Sequence, residues 1–287
     1  MRAGRSRIDA RRSLLAVCVV LIGAGRAPSP AVRDTCILPE RSAPATGTSV
    51  GVALYDGSGF PGPRVDWRRD ATREFFLFDA TGRLDLSDRL PAGKPPMPRL
   101  TLRSPGTTVV ALVSAPVYAV VPASEFQGRL KTDGQEDILE MRATMKSTGS
   151  PGRVRLRHYL KTLLNAGGVS SDVALANLSL VLEIIPETQP ATARPGGRLP
   201  VSVLFEGMPY AGGLLCARHD GPAARPGGDA WCGRLDGSGR VSVPIGAAGW
   251  QLFRTARTRA LAGDDRADWV SYRAALTFDV PKDRSPR

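Results

Sequence analysis

Short runs of alternating apolar and polar residues dominate the chain after its first 31 residues. Every second position is apolar in residues 49–55, and residues 74–78 form a compact apolar run. Residues 107–115 are rich in Val and Thr, and Gly- or Pro-containing turns separate these segments. Alternation with a period of two predicts half-buried strands. We therefore expect a first β-sandwich unit over residues 32–123.

The middle of the chain, residues 124–177, changes to a helical pattern. Residues 125–131 and 137–145 are rich in Leu, Glu, Arg and Met and contain no proline. Residues 153–166 carry apolar residues at helical spacing, and the glycines at 167–168 follow as a helix stop. This pattern predicts a helical connecting segment.

Strand patterns return in residues 178–281. Seven short runs qualify, at residues 180–185, 199–205, 213–218, 231–235, 241–245, 250–255 and 274–280. Seven short strands within about 100 residues are typical of an immunoglobulin-like or transthyretin-like sandwich. The predicted fold is therefore mainly β, with two β-sandwich units, a helical segment between them, and residues 282–287 as a tail.

Residues 1–31 have the pattern of a cleaved secretory signal. Five arginines in residues 2–12 precede an apolar run at 14–22, and small residues at 29–31 offer a cleavage site. The apolar run is shorter than the roughly 20 residues that a membrane span needs; an uncleaved N-terminal anchor is the alternative. A loose twin-arginine motif is present, but the pattern favours the Sec route. We expect a periplasmic protein without a membrane span after cleavage.

The net charge of +12 is spread rather than concentrated. Lys and Arg number 39 against 27 Asp and Glu in 287 residues. The six arginines and one aspartate of residues 1–31 account for +5, so the rest of the chain carries +7. A nucleic-acid binder would gather such charge on one domain or stripe. The distribution therefore argues against nucleic acid as a partner.

Three cysteines follow the signal segment: Cys36, Cys216 and Cys232. Cys216 and Cys232 flank a Gly/Pro-rich loop, and neighbouring strands would bring them within bonding range. A disulfide between them suits an oxidising compartment and would contribute about 2–3 kcal/mol by closing a short loop. Cys36 is then left either free and buried or paired with one of the other two.

Metal ligands are sparse. Cys216, His219 and Cys232 form the only mixed set of soft ligands, and a disulfide competes with that use. Three aspartates lie within residues 264–268, but the Gly-containing pattern of a calcium loop is missing there. We expect those aspartates to belong to a solvated hairpin loop.

The sequence indicates no catalytic site and no cofactor. Its two histidines, His158 and His219, exclude any site that needs three, and no Gly-x-Ser-x-Gly motif is present. Residues 57–62 match the glycine spacing of a dinucleotide-binding turn, but Pro61 and Pro63 indicate an extended loop instead of a helix start. We therefore predict that the protein is not an enzyme.

Several short segments follow one another in order between residues 50 and 280. They read TTVVAL at 107–112, PASEF at 122–126, RHYLK at 157–161, LEIIP at 182–186, LPVSVLFEG at 199–207, DGSGRV at 236–241 and DW at 268–269. In this order they resemble the domain-of-unknown-function 4198 family of exported bacterial proteins. The resemblance implies two β-sandwich units joined by helices, and some members of the family are described as periplasmic components of nickel or cobalt uptake.

One departure from the family bears on metal binding. Family members often begin, after the signal, with a histidine followed by apolar residues, whereas residues 34–38 here read DTCIL. A histidine-based nickel site therefore does not carry over. Cys36 is a substitute soft ligand or, as we expect, a buried structural thiol. The weak metal candidates are Cys36, Cys216, His219 and Cys232.

These observations lead to two hypotheses about function. The first is a periplasmic binding or accessory protein that assists uptake of nickel, cobalt or a small solute, with an envelope transporter or outer-membrane receptor as partner. The alternative is a structural or adhesion-type interaction module of the cell envelope.

Overall fold

The fold of this chain is mainly β, as predicted. The structure is a computed structural model that describes residues 34–90, 98–220 and 228–282. The predicted signal segment and most of the predicted tail lie outside these residues. Within them the chain forms two helices, α1 (Ala123–Thr132) and α2 (Glu136–Thr144). Its strands are β1 (Asp34–Pro39), β2 (Ser49–Gly57), β3 (Arg64–Val65), β4 (Thr72–Asp79), β5 (Gly82–Asp85), β6 (Arg99–Thr101), β7 (Gly106–Ser114), β8 (Val117–Val121), β9 (Gly152–Ala166), β10 (Leu182–Pro186), β11 (Arg198–Phe205), β12 (Met208–Pro209), β13 (Leu214–His219), β14 (Trp231–Arg234), β15 (Arg240–Pro244), β16 (Gly249–Ala260) and β17 (Trp269–Val280).

One large central sheet carries strands from both ends of the chain. In the described residues it has nine strands in the order β14-β13-β16-β17-β9-β7-β4-β5, and β8 pairs with β9 beyond the end of β7. β17 runs parallel to β9, while the other neighbours are antiparallel. Two small sheets accompany it: β1-β2-β3 with β6 on β2, and β10-β11-β12 with β15 on β11.

Each face of the central sheet supports its own hydrophobic core. On β9, Tyr159 and Leu163 point to the core that β10, β11 and β15 cover. Leu160 and Leu164 point to the opposite core, which β1, β2 and β6 cover. Because successive side chains of a strand point to opposite faces, one strand serves both cores. The result is a three-layer arrangement of sheets with the large sheet in the middle.

The prediction of a helix at residues 153–166 was wrong, because this segment is the central strand β9. Residues 159–164 are all buried, as expected for a strand covered on both faces. Apolar residues on both faces of the strand fit helical spacing equally well, and Leu, Arg and Lys favour helices locally. Pairing with β7 on one side and β17 on the other overrides that preference. The two helices predicted just before it are confirmed.

The position of β9 also bears on the predicted division into two sandwich units. β9 pairs with β7 from the first predicted unit and with β17 from the second, so the central sheet is continuous across both. The mainly β class is confirmed, but the immunoglobulin-like arrangement of two sandwiches is not.

A buried ion pair links β9 to β10. Lys161 Nζ lies 2.8 Å from Glu183 Oε1, and both side chains are almost fully buried. Glu183 also accepts hydrogen bonds from the backbone N–H groups of Leu178 and Leu180. Burial lowers the pKa of Lys161, and the charge of Glu183 opposes that shift. Glu183 therefore holds both the lysine and the chain before β10 in place.

We expect Glu183→Ala to destabilise the protein by about 3–5 kcal/mol, because it leaves a buried ammonium and two backbone donors without an acceptor. Urea unfolding followed by circular dichroism measures this. Glu187→Ala is the matched control, since Glu187 pairs with an exposed Arg240 and its loss is expected to cost less than about 1 kcal/mol. Equal losses of unfolding free energy in the two variants would contradict a special role of the buried pair.

Candidate functional site

The structure joins Cys216 and Cys232 in a disulfide. They are directly opposed residues of β13 and β14, with Cα atoms 4.0 Å apart. Asp229 lies beside them, with Oδ2 3.6 Å from Cys232 Sγ. Among the described residues, Cys216, Asp229 and Cys232 have candidate ligand atoms that lie close enough together to hold a metal ion. With both sulfurs bonded to each other, neither is a thiolate.

The other two metal candidates lie in different surroundings. Cys36 of β1 is 2% exposed in the core under β1 and β2, and burial raises its thiol pKa. His219 is buried at the end of β13. Residues three apart on a strand point to opposite faces, so His219 and Cys216 do not share a face of the sheet. The aspartates of residues 264–268 do not converge on a common point either, within the part of the chain that the structure describes.

A cluster of buried charges lies where β1 meets the central sheet. Its members come from six separate segments and consist of Arg218, Arg254, Arg273, Asp34, Asp133 and Asp229. We call this group the charge cluster. Its three guanidinium groups and three carboxyl groups balance in number.

Arg254 of β16 is the centre of the charge cluster. Its Nη1 donates to Asp133 Oδ1 at 3.1 Å, and its Nη2 donates to Asp229 Oδ2 at 2.5 Å. Its Nε lies 3.3 Å from Asp34 Oδ1. Burial alone would lower the pKa of Arg254, but these carboxylates raise it above its usual value. Burial also raises the pKa of Asp34 against the opposing charges of Arg254 and Arg218.

His158 lies at the edge of the charge cluster on β9. Thr35 Oγ1 donates to Asp56 Oδ1 at 3.1 Å and lies 3.3 Å from His158 Nε2. Burial, together with the positive charge of Arg273, lowers the pKa of His158 to about 4, and the charge of Asp56 opposes this shift. The imidazole ring is therefore neutral at pH 7, as expected for a histidine that is packed away from water.

The turn between α1 and α2 closes the open edge of β16. Gln135 is 1% exposed; its Nε2 donates to the carbonyl of Ala256 at 2.7 Å and its Oε1 accepts from the N–H of Thr258 at 2.9 Å. Tyr210 Oη also donates to the Ala256 carbonyl, at 3.0 Å. The pairing of β13 with β16 ends at Leu215, opposite Thr255, so these side chains bond the backbone of β16 beyond the point where β13 pairs with it.

A groove of about 790 Å³ opens beside this turn. The start of α2, the hairpin of β11 and β12, and residues of β14 and β16 line it. Three ion pairs stand around it, with closest N–O distances of 2.6, 2.7 and 2.7 Å: Arg234–Glu136, Arg257–Asp137 and Arg259–Glu206. We call it the ion-pair groove. Phe205 and Tyr210 supply its aromatic surface.

The sequence alone does not predict the ion-pair groove. Arg257 and Asp137, which form one of its ion pairs, are 120 positions apart, and the residues around each member look like those of any exposed strand or helix. Arg257 and Arg259 are two positions apart on β16, so their side chains point to the same face of the sheet. This spacing is the one local feature of the sequence that points to the groove. Only the register of β16 and the docking of α2 reveal the opposing acidic side chains.

Neither helix in the described residues is long and apolar enough to cross a membrane.

The chain matches a family model over most of its length. A family model described as Domain of unknown function (DUF4198) matches residues 33–259. No curated protein matches the chain. Among solved structures, the D0-D1 domain of Intimin shows 11% identity and a TM-score of 0.19, covering 87% of this chain and 100% of that one. A mutant Salmonella alpha-2-macroglobulin shows 14% identity and a TM-score of 0.19, covering 92% of this chain and 16% of that one. TM-scores of this size establish no shared fold.

We expect the His158 ring to remain neutral down to about pH 4. Its native pKa of about 4 lies below the unfolded value of 6.5, so its contribution to stability is complete above pH 6.5 and is lost as the pH falls toward 4. An NMR titration of the two histidine rings measures this, with His158→Gln assigning the signals. A native pKa near 6.5 for His158 would contradict the desolvated site.

Proposed function

This chain belongs to the DUF4198 family, whose function is unknown, and we propose that it is an exported, non-enzymatic binding or accessory protein that captures a small solute. The match over residues 33–259 confirms the resemblance inferred from the short sequence segments. The ion-pair groove is the proposed binding site.

The observation that carries the proposal is the volume and lining of the ion-pair groove. Its roughly 790 Å³ lies within the range of about 300–1,000 Å³ that small-molecule sites occupy. Polar groups converge around an aromatic wall, which is the common composition of such sites. Exposed ion pairs contribute little to stability, so a ligand can replace part of one at small cost.

Export is supported by two independent features. Residues 1–31 have the charge and hydropathy pattern of a signal, and disulfides such as Cys216–Cys232 are typical of oxidising compartments. We infer a periplasmic location and an envelope transporter or outer-membrane receptor as partner.

The two hydrophobic cores support the two sandwich units inferred from the sequence. Each unit would consist of one face of the central sheet together with the small sheet that packs on that face.

A small organic solute suits the site better than nickel or cobalt. Cys216 and Cys232 offer no thiolate while they are bonded, and Cys36 is enclosed in apolar surroundings with a raised thiol pKa. Metal binding needs deprotonated and accessible ligands. The metal-uptake version of the hypothesis therefore has less support.

One observation favours the adhesion-type alternative. β8 pairs only with β9 in the described residues, and Val117 and Val120 on it are 45% and 71% exposed. An open strand edge with exposed apolar side chains accepts an additional strand from a partner protein.

We expect Ala211→Trp to abolish solute binding, because Ala211 is exposed in the lining of the ion-pair groove and an indole there fills the space. The measurement is a thermal-shift screen of residues 32–287 against amino acids and short peptides, monosaccharides, di- and tricarboxylates, Ni²⁺ and Co²⁺. The matched control is Ala143→Trp, on the exposed surface of α2 outside the groove.

The proposal requires at least one organic solute that stabilises the wild type and the control but not Ala211→Trp. Stabilisation by Ni²⁺ or Co²⁺ that survives Ala211→Trp would favour metal uptake instead. Capture of an envelope protein that Val120→Lys abolishes, without any bound solute, would favour the adhesion-type alternative.

A further inference from the structure

We propose that the solute is a short peptide with both termini free, held by its carboxylate on Arg257 and by its ammonium group on the acidic side chains at the start of α2. This inference rests on the proposed function and names the ligand of the same groove. Its basis is that the three arginines of the groove differ in how many hydrogen bonds the protein already gives them.

Arg234 is committed to the protein. Its Nη1 donates to the carbonyls of Gly134 and Gly212, at 2.9 Å each, and its Nη2 donates to Glu136 Oε2 at 2.6 Å. These bonds hold the turn before α2 against β14. A ligand that displaced Arg234 would break this connection.

Arg259 is committed as well. It forms a bidentate pair with Glu206, at 3.0 and 2.7 Å, and donates to Tyr272 Oη at 3.0 Å. Its guanidinium carbon lies 4.8 Å from the centre of the Phe205 ring, so the group is also stacked. The hydrogen bond to Glu206 is the main cause that raises the pKa of Arg259.

Arg257 is the third arginine that lines the groove, and it has donors to spare. Its Nη1 donates to Asp137 Oδ2 at 2.7 Å, and the guanidinium also hydrogen-bonds the hydroxyl of Tyr210, so two of its five donors have these partners. Its side chain is 27% exposed, and its guanidinium carbon lies 6.0 Å from the centre of the Tyr210 ring. A guanidinium has five donors in a planar fork that matches a carboxylate. Arg257 is therefore the arginine that can bind a carboxylate without disturbing the fold.

Acceptors for an ammonium group lie on the same wall. The side chains of Glu136 and Asp137 are 57% and 51% exposed, and each uses a single oxygen in its bond to arginine. The other oxygen of each carboxylate is available to a cationic donor. The groove thus offers both a carboxylate site and an ammonium site within one small space.

The overall charge of the groove selects a ligand that is itself balanced. Three arginines face three carboxylates, so no net field attracts a simple anion or cation. A dicarboxylate would meet Asp137 and Glu136 with like charge, and a sugar would offer no carboxylate to the remaining donors of Arg257. A zwitterion with an extended amide backbone complements both signs.

The test is isothermal titration calorimetry of residues 32–287 with trialanine. We expect trialanine to bind, and N-acetyl-trialanine and trialanine amide to bind at least about tenfold more weakly, because each lacks one charged hydrogen-bonding group. Arg257→Gln should weaken the binding of trialanine by a similar factor. Arg240→Gln is the control, since Arg240 also pairs with one carboxylate, that of Glu187, but lies on β15 outside the groove.

The outcomes separate this inference from the proposed function. If a sugar or dicarboxylate binds and Ala211→Trp abolishes it while trialanine does not bind, the peptide assignment is wrong and the solute-binding function stands. Equal affinity for trialanine and both capped peptides would also overturn the assignment. If trialanine binds with equal affinity to wild type and Arg257→Gln, the carboxylate site is elsewhere and the inference fails.

Discussion

The parallel pairing of β9 with β17 is the contact on which the rest of the molecule depends. It aligns Val154 with Trp269 at one end and Thr162 with Thr277 at the other, and it joins strands from the middle and the end of the chain. Without it the central sheet would separate into two sheets, each with an exposed edge. Because both cores pack against these two strands, the pairing positions every other layer.

The charge cluster determines how the surrounding segments dock on that sheet. Replacing buried ion pairs by apolar residues is often neutral or stabilising, so such a cluster contributes orientation more than free energy. Asp34 begins β1 and Asp133 belongs to the turn before α2, and both reach Arg254. This contact places Gln135 on the edge of β16, and the same turn forms one wall of the ion-pair groove. The proposed binding surface therefore depends on charges buried behind it.

The sequence predicts the elements of this fold better than their arrangement. The two helices and the β-rich class follow from local patterns, as does the opposition of Cys216 and Cys232 across a loop. The segment that became β9 reads as a helix because a strand buried on both faces shows no alternation. The ion-pair groove requires Arg257 of β16 to meet Asp137 of α2, and these residues are brought together only by tertiary packing. No local pattern encodes that encounter.

The sequence position of β17 has a consequence for how the molecule reaches its native state. Its pairing with β9 spans more than a hundred residues, and contacts of such separation form slowly because a long loop must close first. The central sheet cannot be completed until β17 has left the ribosome and become available. A newly made chain therefore remains without its full core until that point. That delay is compatible with the export proposed above, because a polypeptide passes through a translocation channel in an extended form and folds on the far side.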